Sequence, residues 1–242
     1  MHRNMNSIEC INVTKKYLQK DEVHYALRDF SIEIAEGEFL TVIGTSGCGK
    51  TTFLRMINGL LIPDSGRVLV QGEDVSSQDL IALRRRIGYV IQGVGLFPHM
   101  TVRKNIDYVP SLDKTRGRDA RELCAIVGLD EKLLDRFPGE LSGGQQQRVG
   151  IARALAAKPE ILLMDEPFGA VDEITRRKLQ KELRRIHDEL QVTIVFVTHD
   201  IREALLLGDR VAVMDAGQLI QLDTPDMIRN HPATEFVREL VN

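Results

Sequence analysis

Gly44-Thr45-Ser46-Gly47-Cys48-Gly49-Lys50-Thr51 places three glycines, a lysine and three hydroxyls within eight residues, a set suited to holding phosphate. The glycines let the backbone bend and bring N–H groups toward anionic oxygens. Lys50 adds positive charge, and the Thr51 hydroxyl can ligate Mg²⁺. Thr45, Ser46, Cys48 and Thr52 complete the expected phosphate contacts. A plain glycine turn has no need of Lys-Thr at this spacing. Two other segments carry matching chemistry. Asp165-Glu166 ends an apolar run, so Asp165 can hold Mg²⁺ through water while Glu166 polarises a water that attacks phosphate. Ser142-Gly143-Gly144-Gln145 precedes a helical run, where hydroxyl, amides and helix dipole can hold a second anion. Serine is also an ordinary N-cap, but capping alone does not demand Gly-Gly-Gln.

These residues require a scaffold that delivers them to one edge. Residues 39–43 read as a buried strand and 52–58 as a helix, so the first glycines fall where strand turns into helix N-terminus. Residues 161–164 read as a parallel strand ending in the two acids, and β-branched 192–197 as another that ends in Thr198-His199-Asp200. His199 would then sit at the same ligand-binding edge as Asp165. There it can donate to a terminal phosphate; its plainer reading is a surface or capping histidine. With 87–91 and 211–214, these strands alternate with helical stretches, the pattern of an α/β domain with a parallel sheet. Residues 8–13, 30–34 and 67–70 lie between turn signals and suggest a small antiparallel sheet. From Gln92 to about Ala157 strands stop, and 101–108, 118–127 and 145–157 read as an inserted helical subdomain.

Composition excludes several classes. The 242 residues are 43% hydrophobic with formal charge -3, enough for a large core and no basic surface for a polyanion. Arg84-Arg85-Arg86 and Arg176-Arg177-Lys178 read as solvated helix faces, and no nucleic-acid partner is expected. Apolar runs fall far short of the ~20 residues needed to span a bilayer, and residues 1–7 have no signal-peptide character. Cys10, Cys48 and Cys124 have no metal spacing, so reduced thiols in a cytosolic protein are expected. Inside the phosphate loop, Cys48 is expected to alkylate with loss of activity, bound nucleotide protecting it.

The phosphate loop, Leu141-Ser142-Gly143-Gly144-Gln145 with Gln146-Gln147-Arg148, residues 161–166, Gly169-Ala170-Val171-Asp172 and His199 resemble, in this order, the ATP-binding subunit of an ABC transporter. The resemblance implies a P-loop NTPase cassette with a RecA-like parallel core, an N-terminal antiparallel β subdomain and a helical subdomain (about 93–157) inserted in an ATP-binding domain spanning 8–239, after an extension of 1–7. It implies ATP and Mg²⁺ as ligands, with Glu166 and His199 catalytic. Gln92 matches the glutamine that links the γ-phosphate and Mg²⁺ site to the membrane partner, Tyr17 the aromatic that stacks on adenine, and Asp172 the aspartate that couples two sites. The family usually has serine where Gly169 stands, so one hydroxyl contact is missing. Two copies, or this chain and a second cassette, would close head to tail. ATP would lie between the Lys50 loop of one and Ser142 of the other. Further implied partners are transmembrane permease subunits and an extracytoplasmic substrate-binding protein or domain, with the chain peripheral on the cytoplasmic face of the membrane.

Residues 89–92, Gly95-Leu96-Phe97-Pro98-His99-Met100-Thr101-Val102 and 165–172 are similar to importers of quaternary-amine osmoprotectants: glycine betaine, carnitine, choline and proline betaine. Leu96 to Met100 are the expected floor for a permease helix, and could equally pack the helical subdomain on the core. Some longer relatives append a paired regulatory module that senses ionic strength; this sequence stops at Asn242 after short helical segments, which leaves osmotic gating by this subunit itself an open expectation. Import of polyamines, amino acids or another small cation stays open, as do export and a soluble ABC ATPase without a membrane partner. The soluble class normally carries tandem cassettes or a coiled-coil insertion, and no heptad array is present.

Overall fold

The computed structural model describes residues 6–19, 22–93, 95–113, 117–169 and 171–241. In chain order the first elements are β1 (Asn6–Gln19), β2 (Glu22–Ala35), β3 (Phe39–Gly44), α1 (Lys50–Ile57), β4 (Ser65–Val70), β5 (Glu73–Asp74), α2 (Leu80–Arg86) and β6 (Ile87–Val90). Helices α3 (Val102–Ile106), α4 (Tyr108–Asp113), α5 (Ala120–Ile126) and α6 (Gly143–Leu155) follow, then β7 (Ile161–Asp165) and α7 (Glu173–Leu190). The chain closes with β8 (Thr193–Val197), α8 (Ile201–Leu207), β9 (Arg210–Asp215), β10 (Gln218–Asp223), α9 (Pro225–Asn230) and α10 (Glu235–Val241). Contacts divide it into two units: one runs to Arg84 and resumes at Thr193, and the other is Arg85–Val192.

In the first unit β2-β1-β4-β5 form an antiparallel sheet, and β10-β9-β3-β8 lie side by side with β9, β3 and β8 parallel. Burial explains the difference. Every residue of β8 and all of β3 but Gly44 are buried, as a parallel strand covered on both faces requires. Toward its end β2 alternates between buried and exposed, the mark of a strand with one wet face. Phe53, Leu54, Met56 and Ile57 bury the inner face of α1 completely, and Phe53 meets Phe30 with ring centroids 5.1 Å apart. Arg84 donates to the Asn58 and Gly59 carbonyls at 3.3 and 3.2 Å, so this arginine secures the end of α1, where a cation also suits the dipole. The hairpin β1–β2 is much longer than residues 8–13 and 30–34 suggested. Asn6 and Ser7 already belong to β1 rather than to an extension, and residues 1–5 lie outside the described residues.

In the second unit β6 and β7 are parallel, Val90 opposite Met164. Helices α3 to α6 occupy the tract expected to be helical, but 101–108 is not one helix: α3 ends at Ile106 with Asp107 as its C-cap, and α4 starts anew at Tyr108. Helix α7, 18 residues long, buries Leu179, Leu183 and Ile186 at helical spacing. On its outer face Arg177 pairs with Glu173, Arg184 with Asp188 and Arg185 with Glu189, all four residues apart and individually weak; of the run 176–178, Arg177 and Lys178 are exposed, whereas Arg176 is half-buried and donates to Val171 O at 3.3 Å. Among the described residues no helix is long and apolar enough to cross a membrane.

One buried amide shapes the segment ahead of α3. Asn105 is fully buried; its Nδ2 donates to the carbonyls of Phe97, Met100 and Thr101, each at 3.1 Å, and its Oδ1 accepts from Phe97 N at 2.8 Å. Phe97 is held further by Tyr108, ring centroids 4.7 Å apart, and by Arg153, whose guanidinium lies 5.7 Å from the ring centroid and donates to Gly95 O. Replacing Asn105 with Ala strands these peptide groups, so urea unfolding should show a loss of about 2–4 kcal/mol. A loss below about 0.5 kcal/mol, the scale of an ordinary surface change, would contradict the clamp.

Candidate nucleotide-binding site

The phosphate loop occupies the turn from β3 into α1, where the chain must reverse direction within a few residues. Gly44 and Gly49 are dictated by the fold itself. A Cβ at Gly44 would lie 2.0 Å from Met214 O and one at Gly49 2.2 Å from Ala26 O, and both residues have positive φ, so no other side chain fits. The carbonyls of the loop are taken up from behind. Lys50 is 8% exposed and its Nζ donates to Gly44 O at 2.9 Å and Thr45 O at 2.8 Å. Cys48 O accepts from Gly217 N at 3.1 Å and Gly49 O from Phe53 N at 2.9 Å. Because C=O and N–H of a trans peptide point opposite ways, turning carbonyls inward turns the following amides outward, except Cys48 N, which donates to Thr45 O at 3.3 Å. The loop is therefore a ready anion cradle with an ammonium at its base.

Strand pairing sets what else lies at this edge. Val42 of β3 is in register with Val197 of β8, so exposed His199 leaves the sheet on the same side as the loop. Thr198, just before it, donates to Glu203 Oε2 at 2.7 Å and accepts from Asp200 N at 3.0 Å; Asp200 caps α8. The cap expected of a plain histidine is thus supplied by Asp200. Tyr17 lies in the long hairpin opposite His24, 38% exposed, with Lys15 Nζ 5.9 Å from its ring centroid.

The second unit gathers the acids. Asp165, at the end of β7, is 3% exposed. Glu166 follows with φ 48°, a left-handed conformation that costs a non-glycine residue on the order of 1 kcal/mol or more. Asp29 has the same backbone conformation, φ 47°, so the strain by itself assigns Glu166 no role. Gln92, two residues beyond β6, donates from Nε2 to Glu166 Oε2 at 3.1 Å; the register of β6 with β7 brings them to one edge. Asp172 caps α7, its Oδ1 accepting from Thr175 N at 3.0 Å, and this bond holds its carboxyl below the usual range. Ala170 lies outside the described residues.

At the start of α6, Ser142 Oγ accepts from Gln145 N at 3.3 Å and Gln145 Oε1 accepts from Ser142 N at 2.8 Å. That is a capping box, so the expectation that capping leaves Gln145 unexplained is corrected: glutamine is the box's third helical residue. Gly144 is the residue the cap leaves unexplained. A Cβ there would meet Thr175 Cγ2 at an ordinary 3.5 Å and its φ is not positive, so nothing among the described residues demands glycine. Sequence reasoning missed Asp215, which accepts from the Thr45 hydroxyl at 2.9 Å; only the turn signal Ala216-Gly217 lies near it, and 170 residues separate the pair.

The sequence profile described as ABC transporter matches residues 27–169. The chain belongs to the ABC transporter family. It is 53% identical over 220 residues to the glycine betaine/carnitine/choline transport ATP-binding protein OpuCA of Bacillus subtilis, covering 89% of this chain and 58% of that protein. It is 48% identical over 240 residues to the osmoprotectant import ATP-binding protein OsmV of Salmonella typhimurium, 97% of this chain and 63% of that one. The chain thus spans about three fifths of the length of these relatives. The dimeric structure of MJ0796, a bacterial ABC transporter cassette, superposes with a TM-score of 0.83 at 37% identity, over 90% of this chain and 98% of that one. The expected ABC cassette fold is therefore the fold observed.

Cys48 departs from expectation. It is 3% exposed, and burial raises its thiol above the ordinary 9.0 despite the nearby Lys50 charge; Cys10, wholly buried, is pushed up to about 12, and Cys124 is also raised by burial. Thiolate is the reactive form, so ready alkylation of Cys48 is not expected in the folded chain. Native protein should react with a thiol reagent at least ~10-fold more slowly than a free cysteine at pH 8, the rate rising through and beyond pH 9, and denaturant should release three thiols at once. Rapid native labelling at Cys48 would contradict this.

Proposed function

We propose that this ABC-family chain binds ATP with Mg²⁺, hydrolyses it and powers a membrane importer of quaternary-amine osmoprotectants such as glycine betaine, carnitine or choline. The phosphate loop, with its carbonyls turned inward and Lys50 at its base, carries the nucleotide reading. The substrate reading is supported by the names of relatives about half identical to it.

Phosphates would take the outward amides of residues 44–52 and the Lys50 charge, and adenine would stack on exposed Tyr17. Thr51 and Asp165 are hard oxygen donors of the kind Mg²⁺ prefers. That ion uses few protein ligands and completes its shell with water and phosphate, and no cluster of three or more His, Cys, Asp or Glu exists among the described residues to cage it. Bound Mg²⁺ would neutralise phosphate charge. Glu166 accepts the proton of the attacking water, Gln92 steadies one of its oxygens, and His199 donates to the γ-phosphate. Ser142, Gly143, Gly144 and Gln145 serve the nucleotide of a second copy, or of a paired cassette, with Asp172 at that junction. A close ligand from outside accounts for glycine at 144. The permease docks over Leu96 to Met100, the segment that Asn105 clamps. The chain works peripherally on the cytoplasmic face, supplied by an extracytoplasmic binding protein.

Removing the charge of Lys50 with Ala should weaken ATP binding at least ~10-fold in equilibrium titration, since charge-assisted contacts to phosphate are lost; unchanged affinity would count against the loop. Uptake of labelled glycine betaine by cells whose only copy is Glu166→Gln should fall to background at low and high external salt. Normal uptake in those cells, with the purified wild type still hydrolysing ATP, would remove the substrate assignment and leave the cassette intact.

A further inference from the structure

The β9–β10 turn grips the phosphate loop from the rear at two points. At one, Asp215 Oδ1 accepts from the Thr45 hydroxyl at 2.9 Å; at the other, Gly217 N donates to Cys48 O at 3.1 Å. The turn is in turn fixed by Arg28 N, which donates to Gly217 O at 2.9 Å, and by the register of Gly44 with Met214. Ala216 and Gly217 have φ of 45° and 79°, both positive as in the tight hairpin turns that match strand twist. The chain accepts a strained alanine to keep this turn.

The charge of Asp215 is the unexplained part. A neutral acceptor would also hold Thr45, though by a weaker bond, yet a carboxylate sits against a loop shaped for anions. Burial raises the Cys48 thiol, Lys50 lowers it, and Asp215 adds the smallest named contribution, in the raising direction. We infer that Asp215 is a positioning residue for the phosphate loop, tying Thr45 to the β9–β10 hairpin, and that its charge holds nucleotide affinity below what the loop's amides and Lys50 would otherwise give. The inference rests on the nucleotide reading of this loop.

Asn and Ala at 215 separate the two parts. Asp215→Asn keeps an acceptor for Thr45 and removes the charge; Asp215→Ala removes both; Thr45→Val removes the tie and keeps the charge. The probe is ATP, its Kd measured by calorimetry at about 20 mM and about 500 mM salt, where screening lengths differ several-fold. A unit charge within about 10 Å of a doubly charged ligand in a water-like dielectric changes affinity on the order of 4-fold. Asp215→Asn should therefore bind ATP roughly 4-fold tighter than wild type at low salt and equally at high salt. Asp215→Ala should bind more weakly than Asp215→Asn at both salts, and Thr45→Val more weakly than wild type. Equal binding by Asp215→Asn and wild type at low salt, or a gain that survives high salt, overturns the charge effect. Wild-type affinity in Thr45→Val overturns the tie. If wild type binds no ATP, the nucleotide reading falls and the inference with it; if wild type binds and the variants match it, only the inference falls.

Discussion

A loop that is to hold phosphate must leave most of its amides for the ligand, so its shape has to be fixed mainly through its carbonyls; here Cys48 N is spent inside the loop, on Thr45 O. In this chain the solution is to bind the carbonyls. Gly44 and Thr45 give theirs to Lys50, Cys48 to Gly217 and Gly49 to Phe53. Each partner needs its own support. Lys50 and Phe53 stand on α1, whose inner face is sealed by Leu54, Met56 and Ile57 and whose end is secured by Arg84. Gly217 depends on a hairpin pinned to β2. The close approaches at Gly44 and Gly49 follow from the same demand, because the loop lies directly on Met214 and Ala26.

The second unit presents two features that its own packing does not account for. Glu166 is kept in a left-handed conformation beside Gln92, and Gly144 is kept where a larger residue would fit. In the proposed function, Glu166 accepts a proton from the attacking water and Gly144 leaves room for a phosphate at the helix start. In the proposed assembly that phosphate belongs to ATP held between two copies. The Phe97 segment, where the proposed permease contact lies, is held by the hydrogen bonds of Asn105.

The sequence was most legible where spacing is local. The phosphate loop, the buried strands that read as continuous apolar runs, Ser142 as a cap and Asp165-Glu166 at a strand end could all be placed because each is decided within about ten residues. Legibility failed where partners are distant or context decides. The full reach of β1–β2 was hidden because residues 14–19 are polar or exposed and look like loop. The break at Asp107 interrupts a continuous helical pattern. Asn105 reads as a polar helix residue until its four backbone partners are seen, and Asp215 meets Thr45 across 170 residues. Cys48 looked reactive because its neighbours in sequence suggest an exposed loop, whereas the loop's underside is core. Gln145 belongs to the cap as well as to the signature, a double use that spacing could not separate.

The central claim is that one ATP completes a site shared by two chains. The most direct measurement is the sedimentation mass of purified Glu166→Gln, free and with saturating ATP and Mg²⁺, beside the same protein carrying Ser142→Arg. The account predicts a mass that doubles from 27.3 kDa with ATP, two ATP retained per dimer, and no doubling once Ser142 is replaced. A Glu166→Gln protein that binds ATP and stays monomeric, or a Ser142→Arg variant that dimerises as well, would contradict it.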